Sequence, residues 1–394
     1  MSGAPLKVAV VAGEVSGDLL GGDLVAALKR RYDGPVELIG VGGDALEAQG
    51  LHSLFDYSEL SIMGFAQVIK RLPKLLARMR QTADAIIAAK PDVLLIIDSP
   101  DFTHRVAKKV RAALPNLPVV DYVCPSVWAW KEYRAQKMLA YVDHVLAILP
   151  FEPAAMQRLA GPATTYVGHR LTVDPNLLEV RRRRALRALS AADGEKTILL
   201  LPGSRSSEIR QLLPVFEQAV LEFSRRNDHV RYVLPTVPRQ EALVRSLLEN
   251  WSIKPDVFVG QDAKWNAFAD ADAAMAASGT VILELGLAGV PVVSTYKTEW
   301  LARFVMSRIK TWTAALPNLI ADYAILPELI NDVLRPGLLA RYMERLSNNT
   351  PERAAMLQGY DLVWHRMQTE EPPGEKAAAI VLDVLSKKKP GHLN

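Results

Sequence analysis

DVLLIIDSPDF, residues 92–102, decides how this chain is read. Val93–Ile97 is an unbroken apolar run, closed by Asp98, Ser99 and Pro100. A run without polar alternation suits a strand covered on both faces, the condition of a parallel sheet under helices. Asp101 suits a turn cap for the helix that follows. Asp98 sits instead at the carboxyl end of the strand, where open α/β sheets bind their ligands. A carboxylate there is placed to act as a general base.

The same pattern recurs on both sides of this stretch. Residues 6–13, 36–43, 118–125 and 142–150 are strand-like runs with helical patterns between them. The pattern breaks around VGHRLTVDP (167–175), and a second series follows at 197–205, 230–236, 256–260, 271–278 and 289–296. The reading is α/β: two Rossmann-like domains facing across a cleft, with a C-terminal helical tail. The domains are set at 1–170 and 171–337. The tail, 338–394, is expected to pack on the N-terminal domain or on a partner chain.

Composition narrows the function classes. The 394 residues are 49% hydrophobic and 23% charged, ordinary for a globular protein. The N-terminus lacks the basic-then-apolar pattern of a secretory signal. The longest weakly polar run, 273–283, is too short to span a bilayer. A single cysteine, Cys124, gives no disulfide framework and suggests a reducing compartment. The seven histidines are scattered and no metal motif is seen, so neither a metal nor a cofactor is expected. A net charge of +4 is far too weak to argue for nucleic acid. The arginine run EVRRRRALRAL (179–189) reads as a solvated helix face.

Three strand-to-helix loops carry candidate chemistry. AGEVSGDLLGG (12–22) has glycines for tight turns, and Ser16 or Asp18 to cap the next helix. Its spacing is neither GxGxxG nor a P-loop. Glu14 there is either a solvated acid or a partner for a hydroxyl-rich ligand. LPGSRSSEIR (201–210) offers Gly203, Ser204 and Arg205 at a helix start, with Glu208 in a capping box from a serine. ASGTVILELGLAGVP (277–291) offers Ser278, Gly279 and Thr280 at another start. Glu284 follows one turn in and needs a partner, which a ribose diol or a structural Arg or Lys would supply. Loops two and three together suit a nucleotide diphosphate. Arg205 and the helix dipoles would stabilise it as it leaves. In YVCPSVWAWKE (122–132), Ser126 is a candidate substrate contact, and Trp128 and Trp130 read as packing. In ALPNLIAD (315–322), Asn318 is a candidate donor to the sugar or diphosphate.

These motifs, with GVGGDALEAQG (40–50), ILPFE (148–152) and the VGH at 167–169, run in one order over nearly the whole chain. In that order the sequence resembles the lipid-A-disaccharide synthase family, nucleotide-sugar glycosyltransferases of the GT-B fold. The resemblance implies an inverting hexosyl transfer of lipid A biosynthesis. UDP-2,3-diacylglucosamine is the donor and 2,3-diacylglucosamine 1-phosphate the acceptor. The products are a β-1,6-linked disaccharide 1-phosphate and UDP. It implies Asp98 as base, Arg205 and Asn318 in motifs tied to activity, and Glu284 on the ribose. Acceptor contacts fall to Glu14, Ser16, Gly17, Asp101 and Ser126. A homodimer with exchanged C-terminal segments is admitted. Cys124, Arg170 and Asn331 depart from the usual Ser, Pro and Gln. The competing readings are another GT-B enzyme, MurG-like or an epimerase, and a non-catalytic membrane-associated nucleotide-sugar sensor.

The stretch SIMGFAQVIKRLPKLLARMR (61–80) remains. On a helical wheel Ile62, Phe65, Val68, Ile69, Leu72, Leu75, Leu76 and Met79 fall in an arc of about 140°. Lys70, Arg71, Lys74 and Arg78 fall opposite, and Pro73 is expected to split the segment. By composition the arc is a core face with a solvated basic back. The resemblance favours membrane contact, with Met63 and Phe65 exposed, at the cytoplasmic face of an anionic inner membrane.

Overall fold

Why apolar runs alternate with helical patterns along this chain is answered by two parallel sheets. A computed structural model describes residues 3–60, 65–189, 195–297 and 310–388, without the side chains of 65–71, 189 and 388. The chain divides into two units. One runs to Arg170 and resumes at Thr369; the other is Leu171–Gln368.

The first unit holds β1 (Leu6–Ala12), β2 (Val36–Val41), β3 (Val93–Ile97), β4 (Val119–Tyr122), β5 (His144–Ala147) and β6 (Ala163–Tyr166). Their order is β2-β1-β3-β4-β5-β6, all parallel. Successive residues of a strand point to opposite faces, and here both faces are covered. Ala9, Val11, Leu94 and Ile96 pack with Ile86, Val106 and Val110. Val8, Val10, Leu95 and Ile97 pack with Leu24 and Leu28 on the other side. That second core also takes Ala377, Ala378, Val381 and Leu385 from the helix Pro373–Lys388. The helix is pinned by ion pairs, Arg30 and Arg31 to Glu375 at 2.6 and 2.7 Å. Both arginines end the helix Val15–Arg31, where cations are favoured.

The second unit holds β7 (Lys196–Leu201), β8 (Val230–Thr236), β9 (Asp256–Val259), β10 (Ala273–Ala277), β11 (Val292–Tyr296) and β12 (Glu328–Ile330). Their order is β12-β11-β10-β7-β8-β9, again parallel.

Four sequence expectations change here. The expected tail divides: Pro336–Leu346 and Pro351–Met367 lie in the second unit, and only the part from Thr369 joins the first. The arginine-rich helix Pro175–Leu189 is not simply solvated. Arg184 donates to the carbonyls of Phe268, Ala271 and Gly289 at 3.0, 2.6 and 2.8 Å, and Arg181 to that of Leu287. Burial pulls Arg184 down to about 10. Two helices, Gln261–Asp270 and Thr280–Ala288, end at these carbonyls, so the arginines satisfy orphan C-terminal acceptors.

Pro73 does not split its segment; one helix runs Phe65–Ala89 with Pro73 inside. Its apolar arc divides along its length. Met79, Ala83 and Ile86 enter the core, Leu75 is half-buried, and Leu72 and Leu76 are 44% and 47% exposed. Two of its cations are paired as well as facing solvent: Lys74, exposed, and Arg78, partly covered, reach Glu59 at 3.2 and 2.8 Å. Ile62 and Met63, and the side chains of Phe65, Val68, Ile69, Lys70 and Arg71, lie outside the described residues. No described helix is long and apolar enough to cross a membrane.

Candidate active site

In the first unit the chemistry gathers where β1 and β3 end. Asp98 and Ser99 follow β3 at φ +55° and +45°, a left-handed pair unusual for residues with a Cβ. The pair is fixed by its surroundings. Asp98 Oδ1 accepts from the Ser99 N–H at 2.7 Å, and the Thr103 hydroxyl donates to the Asp98 carbonyl at 2.8 Å. Asp98 Oδ2 accepts from the Ser16 hydroxyl at 3.0 Å. The approach of the two loops favours glycine: a Cβ on Gly17 would lie 3.1 Å from the Ile97 carbonyl and 3.3 Å from Asp98 Cβ.

Glu14 sits at the N-cap of Val15–Arg31, so it flanks this strand end. Asp18 does not cap that helix. It is buried and accepts from the N–H groups of Gly43, Ala45 and Leu46, capping the short helix Asp44–Glu47. Asp101 is exposed in the first turn of Pro100–Ala113. Ser126 is exposed after β4, the neighbour of β3. Behind it Trp128 packs edge-on against Phe151 at 4.9 Å and donates to Glu152 at 3.3 Å. Burial pushes Glu152 up to about 8. Trp130 differs from its expected packing role and is 40% exposed.

In the second unit a cavity of about 480 Å³ opens at the carboxyl ends of β7, β8, β9 and β10. Three helices begin on it, with Arg205, Gly260 and Gly279 at their N-caps. Free N–H groups at three helix starts make the cavity attractive to an anion. Gly203, Ser204 and Arg205 line it beside Ser278, Gly279, Thr280 and Glu284. Gly203 is required by its φ of +103°, and a Cβ there would sit 2.4 Å from Glu208 Oε2. The expected serine capping box does not form; Arg205 stands at the N-cap and Glu208 reaches back to it. Glu208 Oε2 accepts from the Arg205 N–H at 3.4 Å, and Oε1 takes its guanidinium at 2.7 Å.

One residue differs from the sequence reading, and another has the structural lysine that the sequence left open as its partner. Asn318 is buried, and its whole side chain is engaged within the unit. Its amide nitrogen donates to Thr313 and to the Leu326 carbonyl at 3.3 and 3.1 Å. Its oxygen accepts from the Ile325 and Leu326 N–H groups at 2.8 and 3.1 Å. Asn318 therefore pins a loop and has no donor left for a substrate. Glu284 is bridged by Lys264, whose Nζ lies 3.0 and 2.9 Å from the two carboxylate oxygens. Sequence reasoning missed Lys264, as it missed the Thr236–Pro238 and Gly260–Gln261 walls of the cavity. The available signal was a lysine one turn into a helix that follows a strand, with aromatics beside it in GQDAKWNAF (260–268).

Comparison with known proteins fits this geometry. The family model described as lipid-A-disaccharide synthetase matches residues 8–372. The lipid-A-disaccharide synthase of Nitrobacter winogradskyi is 46% identical over 389 residues, covering 96% of both chains. That of Rhodopseudomonas palustris is 44% identical over 388, again covering 96% of both. Among solved structures, Methanocaldococcus jannaschii UDP-GlcNAc 2-epimerase in complex with UDP-GlcNAc and UDP aligns with a TM-score of 0.59 at 13% identity. The alignment covers 96% of this chain and 100% of that one. Acinetobacter baumannii MurG aligns at 0.56 and 15%, covering 97% and 100%. At such identities the structures show the fold alone, GT-B. The sequence relatives show more: the chain belongs to the lipid-A-disaccharide synthetase family.

Proposed function

We propose that this chain transfers 2,3-diacylglucosamine from UDP to the 6-hydroxyl of 2,3-diacylglucosamine 1-phosphate. Family membership makes it a hexosyltransferase of lipid A disaccharide synthesis, working on a nucleotide sugar and a phosphosugar lipid. The observation that carries the finer reading is the second unit's cavity, where three helix N-termini, Arg205 and Glu284 meet. Helix starts and a guanidinium suit a diphosphate, and a carboxylate suits a ribose diol.

Asp98 takes the proton of the acceptor hydroxyl. The freed oxygen attacks C1 of the donor as the bond from C1 to the diphosphate oxygen breaks. Attack opposite the leaving group turns an α donor into a β-1,6 product. Charge growing on the diphosphate is met by Arg205, which exchanges Glu208 for phosphate, and by the helix N-termini. Ser16 holds Asp98 toward the acceptor. Glu14, Asp101 and Ser126, which follow β1, β3 and β4, meet acceptor hydroxyls. The test is UDP release from UDP-2,3-diacylglucosamine with and without acceptor in detergent micelles. Acceptor-dependent release is expected; none under any condition sinks the proposal.

Because both sugars carry acyl chains, the enzyme works as a peripheral protein on anionic inner membrane at its cytoplasmic face. Leu72 and Leu76 give an apolar contact there. Replacing both with serine should release a folded protein from anionic vesicles. Retention on the vesicles would remove these residues from the contact.

A further inference from the structure

Lys264 stands against a local rule. It lies in the first turn or so of Gln261–Asp270, at the positive end of the helix dipole, where a cation is disfavoured. Two things hold it there. Its ammonium is 4.3 Å from the centre of the Trp265 ring, with Phe268 beyond at 5.8 Å. Its charge meets Glu284, one turn into the neighbouring helix Thr280–Ala288. Both side chains are about four-fifths covered, at 18% and 19% exposure, yet both line the cavity. Residues that break a local preference inside a cavity are where function is to be sought.

We infer that Lys264 is a positioning residue for the nucleotide, acting through Glu284; the inference rests on reading this cavity as the nucleotide pocket. A carboxylate has about four acceptor directions, and one ammonium bridging both oxygens leaves room for two more donors. The ribose 2′ and 3′ hydroxyls are those donors. Lys264 fixes the carboxylate in the orientation that receives the diol. It also offsets the negative charge that Glu284 would otherwise set beside a diphosphate. Without it the pocket would hold an unpaired acid close to an anionic ligand. A lysine that merely ties two helices together would lower stability without changing which nucleotide is preferred.

The experiment is calorimetric titration of UDP and 2′,3′-dideoxy-UDP into wild type, Lys264→Met, Lys264→Arg and Glu284→Gln, each checked by thermal melting. Wild type is expected to prefer UDP by roughly tenfold or more. Lys264→Met should lose roughly tenfold on UDP and less than about threefold on the dideoxy nucleotide. Lys264→Arg should recover most of the preference. Combining Lys264→Met with Glu284→Gln should lower UDP affinity no further than Glu284→Gln alone. Equal losses on both nucleotides would place Lys264 on the diphosphate instead and overturn the inference. So would unchanged UDP affinity in folded Lys264→Met. If the methionine variant does not fold, Lys264→Gln carries the same two outcomes. Wild type that binds both nucleotides equally overturns the ribose role of Glu284, and the inference with it. Wild type that binds no UDP overturns the proposed function itself.

Discussion

The two strand ends that carry chemistry are built from the same architecture but filled in opposite ways. Where β1 and β3 end, the polar groups are acidic: Glu14 at a helix N-cap, and Asp98 tethered by Ser16. Where β7 to β10 end, three helix N-termini meet two acids, each offset by a cation, Glu208 by Arg205 and Glu284 by Lys264. A parallel sheet under helices always delivers helix starts to one edge, so the fold alone gives anion affinity to both units. The side chains decide whether it is kept. An acid on the first edge cancels that preference and favours a hydroxyl that must give up a proton. The second edge keeps it, and so suits a diphosphate.

The sharpest way to break this contrast is at Asp98. Asp98→Asn keeps the size and one of the two acceptor oxygens but cannot take a proton. Turnover should fall on the order of 10²- to 10⁴-fold, while UDP affinity, which the proposal assigns to the other unit, stays within about twofold. Steady-state UDP release and calorimetry read the two separately. Equal loss of both would mean that the strand ends do not divide the work as argued.

Asn318→Ala comes next in size and moves the contrast from catalysis to folding. Four hydrogen bonds end on this buried amide, two of them from backbone N–H groups that would be left unpaired. Stability should fall by about 2–4 kcal/mol, read by urea unfolding. UDP affinity of the fraction that stays folded should be nearly kept. A stable but inactive variant would return Asn318 to the reaction.

Much of this was legible in the sequence, and the reasons for the rest are physical. Strands such as VLLII and AAMAA announce themselves because both faces are covered. β6 (ATTY) and β12 (ELI) are edge strands, partly exposed, and carry no apolar run to read. The loops holding Asp98, Arg205 and Glu284 were found because strand ends and helix starts have local signals. Lys264 was missed and the bonding of Asn318 was not foreseen because their partners are distant in sequence or are backbone atoms. Glu284 is twenty residues from Lys264, and Asn318 bonds a turn that no side-chain pattern marks. Arg184 was read as solvated for the same reason, since its partners are carbonyls.

A pH series sharpens the contrast further, through Glu152 behind the Ser126 loop. Burial lifts its carboxyl from 4.5 to about 8, so the folded chain keeps a proton that the unfolded chain has released. Folding therefore takes up a proton between those values. Stability should fall as pH rises through that window, by up to about 1.4 kcal/mol per pH unit, and level off above it. Glu152→Gln should flatten the slope in urea midpoints taken from pH 5 to 8.5. An unchanged slope would show that Glu152 is not its source.

Ser16→Ala should have the smallest effect and is the closest test of how the acidic edge works. The hydroxyl donates one hydrogen bond to Asp98 Oδ2, while Oδ1 is held independently by the Ser99 N–H. Removing one of two anchors leaves the carboxylate in place but freer to turn. A hydrogen bond to a charged group contributes about 1.5–3 kcal/mol when fully formed, and less where water can replace the donor. The expected loss in turnover is therefore about three- to tenfold, with UDP affinity unchanged. A loss as large as that of Asp98→Asn would mean that Ser16 itself meets the acceptor and orients its hydroxyl. No loss at all would mean that the left-handed turn at Asp98 and Ser99 is enough to aim the base.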